Sequence, residues 1–292
     1  MKKLLIAFLL GLSSIPASAC DVCGLGTSNY NPFLFPHLSK NYISVNYLHR
    51  LYHIYSEEGF NKAHLNTFFI SGQYSINEKL QLVAMLPYQV NKQEIAGTTR
   101  NLKGAGDLTL LANYRLWMKQ GRSNTQTLTV GGGFKLPTGK YTASKSGTIE
   151  DQNFQLGTGS VDYMLNASYR LSYRRWVFSA VGSYKYNTEN KQNYRYGDIW
   201  ATGATAVYRK ELKDFSISPY LQIMKEIQMK DADDHILQKH SGGSVLYSGG
   251  GFDVNTRKFA IGANYQFAAS QNLFQGEVNA KPRLSIHFSI VL

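Results

Sequence analysis

Past residue 19 the sequence has no apolar run approaching the ~18 residues that a membrane-crossing helix needs, which excludes a helical span. Cysteine is nearly absent. Its two copies, Cys20 and Cys23, sit together, so any thiol chemistry is confined to that pair. Proline occurs only 7 times, and no linker or low-complexity stretch divides the chain, so one large β domain is expected. Acids are outnumbered, 19 Asp and Glu against 31 Lys and Arg, for a formal charge of +12. In an exported chain that balance favours anionic surfaces such as phosphorylated lipid headgroups over nucleic acid. Aromatic and small residues are abundant: 20 Tyr, 15 Phe and 26 Gly.

The first nineteen residues have the three parts of a bacterial secretory signal. Lys2 and Lys3 start it, Leu4 to Leu12 form its apolar middle, and Ala17-Ser18-Ala19 form the cleavage site. The expected organisation is a signal peptide over 1–19, an N-terminal periplasmic segment over 20–40, and a barrel over 41–292.

Period-two alternation dominates the chain beyond residue 40. Over 215–229, Phe215, Ile217, Leu221, Ile223 and Ile227 share one face, while Ser216, Ser218, Gln222, Glu226 and Gln228 share the other. The runs 258–267 and 283–292 alternate in the same way. About twelve such runs are expected, over 41–55, 64–76, 79–92, 106–118, 125–137, 159–172, 175–187, 196–210, 214–229, 243–255, 258–271 and 281–292. Short connections such as Asn77-Glu78-Lys79 alternate strictly with longer ones over 56–63, 93–105, 138–158, 188–195, 230–242 and 272–280. A soluble sandwich has no reason for this asymmetry. A transmembrane barrel does, with tight turns at its periplasmic rim and loops outside. The fold class is therefore all-β: a transmembrane antiparallel β-barrel in the bacterial outer membrane. An even strand number places both termini in the periplasm. Tyr42, Tyr47, Tyr52, Tyr88, Trp117, Trp176, Trp200 and Tyr265 are among the aromatics expected in the interfacial girdles.

Four stretches carry a family resemblance: "YSINEKLQLVAMLPY" (74–88), "GAGDLTLLANYRL" (104–116), "FKLPTGKY" (134–141) and "NFQLGTGSVDYMLNASYRL" (153–171). They resemble the outer-membrane family named for a MetA pathway of phenol degradation, often described simply as transporters. The resemblance covers most of the chain from about Leu65 onward and implies uptake of aromatic or other poorly soluble molecules. Within these stretches Gly104, Gly106 and Asp107 read as a turn into a strand, and Pro137, Thr138 and Gly139 as the end of one. No catalytic residue comes with the resemblance.

Alternation assigns Arg115, Asp162, Arg170, Lys185, Glu226, Arg283 and His287 to the lumen, where they either line a water path or pair across it. Asp162 and Arg170, eight residues apart on one strand, must find partners on neighbouring strands. In 20–40 the apolar group Phe33, Leu34, Phe35 and Leu38 is expected to fold into the periplasmic mouth as a plug or to strap its rim. Four readings stand for Cys20 and Cys23: a disulfide, idle thiols, a copper or zinc site with His37, or lipidation at Cys20, whose lipobox is poor. "KDADDHILQKH" (230–240) reads as a solvated charged loop rather than a calcium loop. Lys140, Lys145, Arg195 and Lys239 are candidates to meet lipopolysaccharide phosphates. An outer-membrane phospholipase needs a Ser–His arrangement that neither His240-Ser241 nor His287 supplies in a supporting context, so no enzyme and no cofactor are expected. The leading function is passive passage of small solutes, hydrophobic or aromatic by the resemblance. The alternatives are a non-conducting subunit with an envelope partner, and a metal-handling protein built on the cysteines.

Overall fold

In the computed structural model, residues 41–56, 59–95, 98–142 and 154–292 are described. Alternation over them becomes strands: β1 (Tyr42–Ser56), β2 (Gly59–Ser75), β3 (Leu80–Ile95), β4 (Thr98–Ala105), β5 (Leu108–Gln120), β6 (Asn124–Leu136), β7 (Asp162–Tyr173) and β8 (Trp176–Tyr186). Then come β9 (Tyr194–Arg195), β10 (Ile199–Tyr208), β11 (Lys210–Glu211), β12 (Ser216–Gln228), β13 (Ala232–Asp233) and β14 (Ile236–Leu237). The last are β15 (Gly243–Asn255), β16 (Phe259–Leu273), β17 (Val278–Ala280) and β18 (Arg283–Val291). β4 with β5, β10 with β11, and β17 with β18 each make one interrupted stave, giving a barrel of twelve. β1 pairs antiparallel with β2 on one side and β18 on the other, and the sheet closes. Closure satisfies every ladder donor and acceptor, which lets a strand protein cross lipid.

The outside of the wall is greasy. Leu221 is 72% exposed, and Ile70, Leu116, Leu165, Ile286 and Ile290 also point out. Such a surface would be costly in water and is at home in acyl chains. The short turns at 76–79, 121–123, 174–175, 212–215 and 256–258 share one rim. The two ends of the described barrel meet there too, where Leu292 N donates to Asn41 O over 2.9 Å.

Three expectations are corrected. The supposed loops at 56–63 and 93–105 are strand at every described residue: β1 ends at Ser56 and β2 starts at Gly59, and β3 ends at Ile95 and β4 starts at Thr98. Their outward residues are mostly polar, with the exposed Tyr55–Phe60 pair among them, and Ile54, Ala63, Leu65 and Leu102 keep an apolar inner face, so the ladder continues. Tyr42 and Tyr52 are not girdle residues. Both are buried, because their parity on β1 points them inward beside Ser44 and Asn46. Finally, 230–240 is not simply solvated. β13 and β14 form a tiny hairpin that adds to β9, and Asp231 is fully buried.

Candidate functional site in the barrel lumen

The lumen has two chemistries stacked along its axis. Toward the short-turn rim it is polar: Ser289 Oγ donates to Ser44 Oγ (2.8 Å), and Asn46 Nδ2 to Ser71 Oγ (3.2 Å). Asp253 and His287 face each other there at 3.7 Å. Toward the other rim, Tyr52, Ile54, Leu65, Met224, Val245, Tyr247, Leu273 and Phe274 gather into an apolar cluster drawn from β1, β2, β12, β15, β16 and the turn after it. Phe154, 1% exposed, belongs to the same cluster although it comes from the connection between β6 and β7. That connection folds inward, and residues 154–158 are all buried.

A buried ionic knot holds it there. Lys135 Nζ lies 2.6 Å from Asp107 Oδ2 and 2.8 Å from Asp162 Oδ2, and it also donates to Thr158 Oγ1. Asp107 accepts from Gly139 N and Thr158 N, each at 2.9 Å. Ser160 Oγ donates to Asp162 Oδ1 at 2.8 Å. Gly157 must lack a side chain, since a Cβ there would strike the Asp107 carboxylate. Below the knot, Gln89 Nε2 donates to Leu156 O (2.8 Å), and the Arg100 guanidinium sits 5.3 Å from the Phe154 ring centre. Three of the stretches that carry the family resemblance thus meet in one place. They are "GAGD" (104–107), "FKLPTGK" (134–140) and "FQLGTGSVD" (154–162).

The lumen candidates fall at four levels. Asp162 is in the knot, and buried Lys185 stands on the adjacent strand opposite Met164. Glu226 accepts from Arg283 (3.0 Å), which also donates to Gln266 (2.7 Å) and lies 3.7 Å over the Tyr247 ring. His287 is with Asp253 nearer the short-turn end. Arg170, opposite Thr127, and Arg115, whose guanidinium reaches Met118 Sδ at 3.7 Å, sit close to that rim. Asp107 and Lys135 were not among the residues that alternation assigned to the lumen. Asp107 looked like a turn residue, and Lys135 stands only two residues before Pro137. Their parity with Asp162 across β5, β6 and β7 was the available signal.

A second set of contacts ties the remaining loops. Asp231 accepts from Gly197 N and from Tyr194 Oη, both at 2.7 Å. Burial pushes its carboxyl above the usual range, against the lowering effect of those hydrogen bonds. Arg195 is spent on Asp198 Oδ1 (2.8 Å) and Asn187 O (2.8 Å), and Lys145 lies outside the described residues. His240 is 2.6 Å from Glu277, while Ser241 Oγ donates to Gln238 O, so that His–Ser neighbour pair is occupied separately. Among the described residues no group of His, Cys, Asp and Glu is arranged to hold a metal. Cys20, Cys23, His37, Phe33, Leu34, Phe35 and Leu38 lie outside the described residues.

The family model described as "Putative MetA-pathway of phenol degradation" matches residues 53–278, most of the chain. The chain belongs to that family. Among functionally curated sequences none matches it. Among solved structures, the COG4313 outer membrane channel from Pseudomonas putida F1 is similar. It has 14% identity and a TM-score of 0.66, over 90% of this chain and 100% of that one. The β domain of the Bordetella autotransporter BrkA is similar at 11% identity and a TM-score of 0.51, over 87% and 100%. These likenesses establish the fold, an outer-membrane β-barrel.

Proposed function

We propose that the barrel is a passive channel for small solutes with apolar surface, narrowed by the inward-folded connection between β6 and β7. The observation that carries this is Phe154, set inside an apolar cluster above a polar lumen and held by the Asp107–Lys135–Asp162 knot. A greasy constriction admits a molecule that can shed water and hinders a hydrated one of equal size. The Arg283–Glu226 pair just inside it offers an edge and a face for an aromatic ring or a hydroxyl, while its internal pairing leaves little net charge. The short-turn rim, where Asn41 and Leu292 meet, faces the periplasm, as in single-chain outer-membrane barrels. The name of the family adds weight to aromatic cargo, and the similar Pseudomonas putida protein is an outer membrane channel.

The same cluster favours a second reading, a sealed barrel that serves as a non-conducting subunit. Swelling of vesicles carrying the folded protein separates the two. A phenyl glucoside should enter faster than a disaccharide of similar size, and neither should enter lipid-only vesicles. Equal entry of both solutes would refute the apolar preference, and no entry of either would favour the sealed subunit.

A further inference from the structure

Above the aromatic girdle the outside of the wall changes sign. On β1 the outward series Ile43, Val45, Tyr47 gives way to His49, Leu51 and His53; on β2, Tyr74, Ile70, Phe68 gives way to His64 and Lys62; on β3, Leu86, Tyr88, Val90 gives way to Lys92 and Glu94, and the exposed Tyr55–Phe60 pair closes the patch beyond His53 and Lys62. The register lines these up across strands. His49, Asn66, Val90 and Lys103 form one row, and Leu51, His64, Lys92 and Asn101 the next. Lys281 extends that second row, its N–H bonded to Leu51 O at 2.9 Å, and Lys62 with His53 stands above. The rings of His49 and His64 are 6.2 Å apart. Among the described residues one acid, Glu94, lies in the patch, 2.7 Å from Lys92.

We propose that this face binds the phosphate groups of the outer-leaflet glycolipid, lipopolysaccharide. Four lysines on five neighbouring staves cover a width of about 19 Å at the usual strand spacing of ~4.8 Å, enough to meet more than one phosphate. The position decides between an incidental basic surface and a headgroup site. The row begins one residue pair above Tyr47 and Phe68, whose rings are 5.0 Å apart in the interfacial band. There a lysine stem can lie along apolar wall while its ammonium meets a phosphate. Tyr47 Oη donates to Asn66 Oδ1 at 2.7 Å, which fixes the boundary between the two chemistries. The patch replaces Arg195 as the centre of lipid contact, because Arg195 is committed to Asp198 and Asn187. The site rests on the proposed orientation, with the long connections outermost, and not on conduction.

The test is native mass spectrometry of the folded protein in detergent. The lipids are a bisphosphorylated glucosamine-disaccharide lipid, its dephosphorylated form and phosphatidylglycerol, with inorganic phosphate as competitor. The bisphosphorylated lipid should bind most strongly, and Lys62→Gln/Lys92→Gln/Lys281→Gln should weaken it at least tenfold. The matching Lys→Arg triple should retain binding. Lys79→Gln/Lys258→Gln, at the short-turn rim, should leave it unchanged. Melting curves equal to wild type verify that the outward substitutions leave the barrel folded. Undiminished binding in the Gln triple overturns the proposal, as does an equal loss from the Lys79/Lys258 variant. So does equal binding of the dephosphorylated lipid or phosphatidylglycerol, or full displacement by inorganic phosphate at equal concentration. Solute entry through the Gln triple should match wild type, so a closed channel and a lost lipid site give different results.

Discussion

Replacing Lys135 by methionine keeps most of the side chain's volume and removes its ammonium. In the native protein that ammonium touches both Asp107 and Asp162, and all three side chains are at most 5% exposed. Removing one partner of a buried ion pair costs about 3–5 kcal/mol, because the charge left behind is poorly compensated away from water, here by buried Lys185, which also interacts with Asp162 and Asp107. Two carboxylates would remain, but Gly139, Thr158 and Thr188 keep donating backbone N–H groups to them. The lower end, about 3 kcal/mol, is therefore expected. The loss falls on the folded-in state of 154–160, since the barrel's ladders do not run through the Lys135 side chain. Roughly a hundredfold shift toward release of the connection is the result, at 1.4 kcal/mol per tenfold. Hydrogen exchange reads this directly. The amides of Gly139 and Thr158 should lose about a hundredfold in protection while those of the β15–β16 ladder keep theirs. Adding Asp107→Asn alone should recover much of the loss, because it leaves Asp162 facing Lys185 as one pair of opposite charges. Unchanged protection of both amides in Lys135→Met would refute the knot as the anchor.

Other contacts carry three more expected outcomes. Asp231→Asn keeps acceptors for Gly197 and Gln228, whereas Asp231→Ala leaves the Gly197 amide unpaired, so alanine should cost about 1–3 kcal/mol of loop stability and asparagine much less. Burial raises the folded Asp231 pKa, so the neutral acid is the form folding favours, and wild-type stability declines as pH rises through the folded value. The melting temperature of Asp231→Asn should therefore gain on wild type between pH 4 and pH 8. Gly197→Ala would place a methyl on the Met229 carbonyl, and proteolysis of the loops around it should accelerate without loss of the barrel. Arg283→Gln leaves Glu226 uncompensated in the lumen, so ion selectivity in bilayers should shift toward cations.

Much of the fold was legible because lipid reverses the usual pattern cleanly. In β16, Phe259, Ile261, Tyr265 and Phe267 point out while Gly262, Asn264 and Gln266 point in, and alternation alone separates them. β1 was not legible, for a physical reason. Its membrane part is apolar outside and polar inside, with Val45 against Asn46. Its upper part is the opposite, with His53 outside and Ile54 inside. The two halves cancel in any average over the strand, which hid both the true length of the β1–β2 hairpin and the inward parity of Tyr52. The ionic knot was hidden differently. Asp107, Lys135 and Asp162 are 28 and 27 positions apart, so only the strand order brings them together. Phe154, between asparagine and glutamine, carries no periodic signal at all.

Single-barrel current across a planar bilayer, wild type beside Phe154→Ala, tests the central claim most directly. Truncating a buried phenylalanine costs about 3–5 kcal/mol and leaves a void where the constriction stands. A small current is expected in the wild type, blocked by an added aromatic alcohol, and a larger, less readily blocked current in the variant. Silence from both, in barrels shown to be folded, or identical currents and identical block, would contradict a channel narrowed by the inward-folded connection.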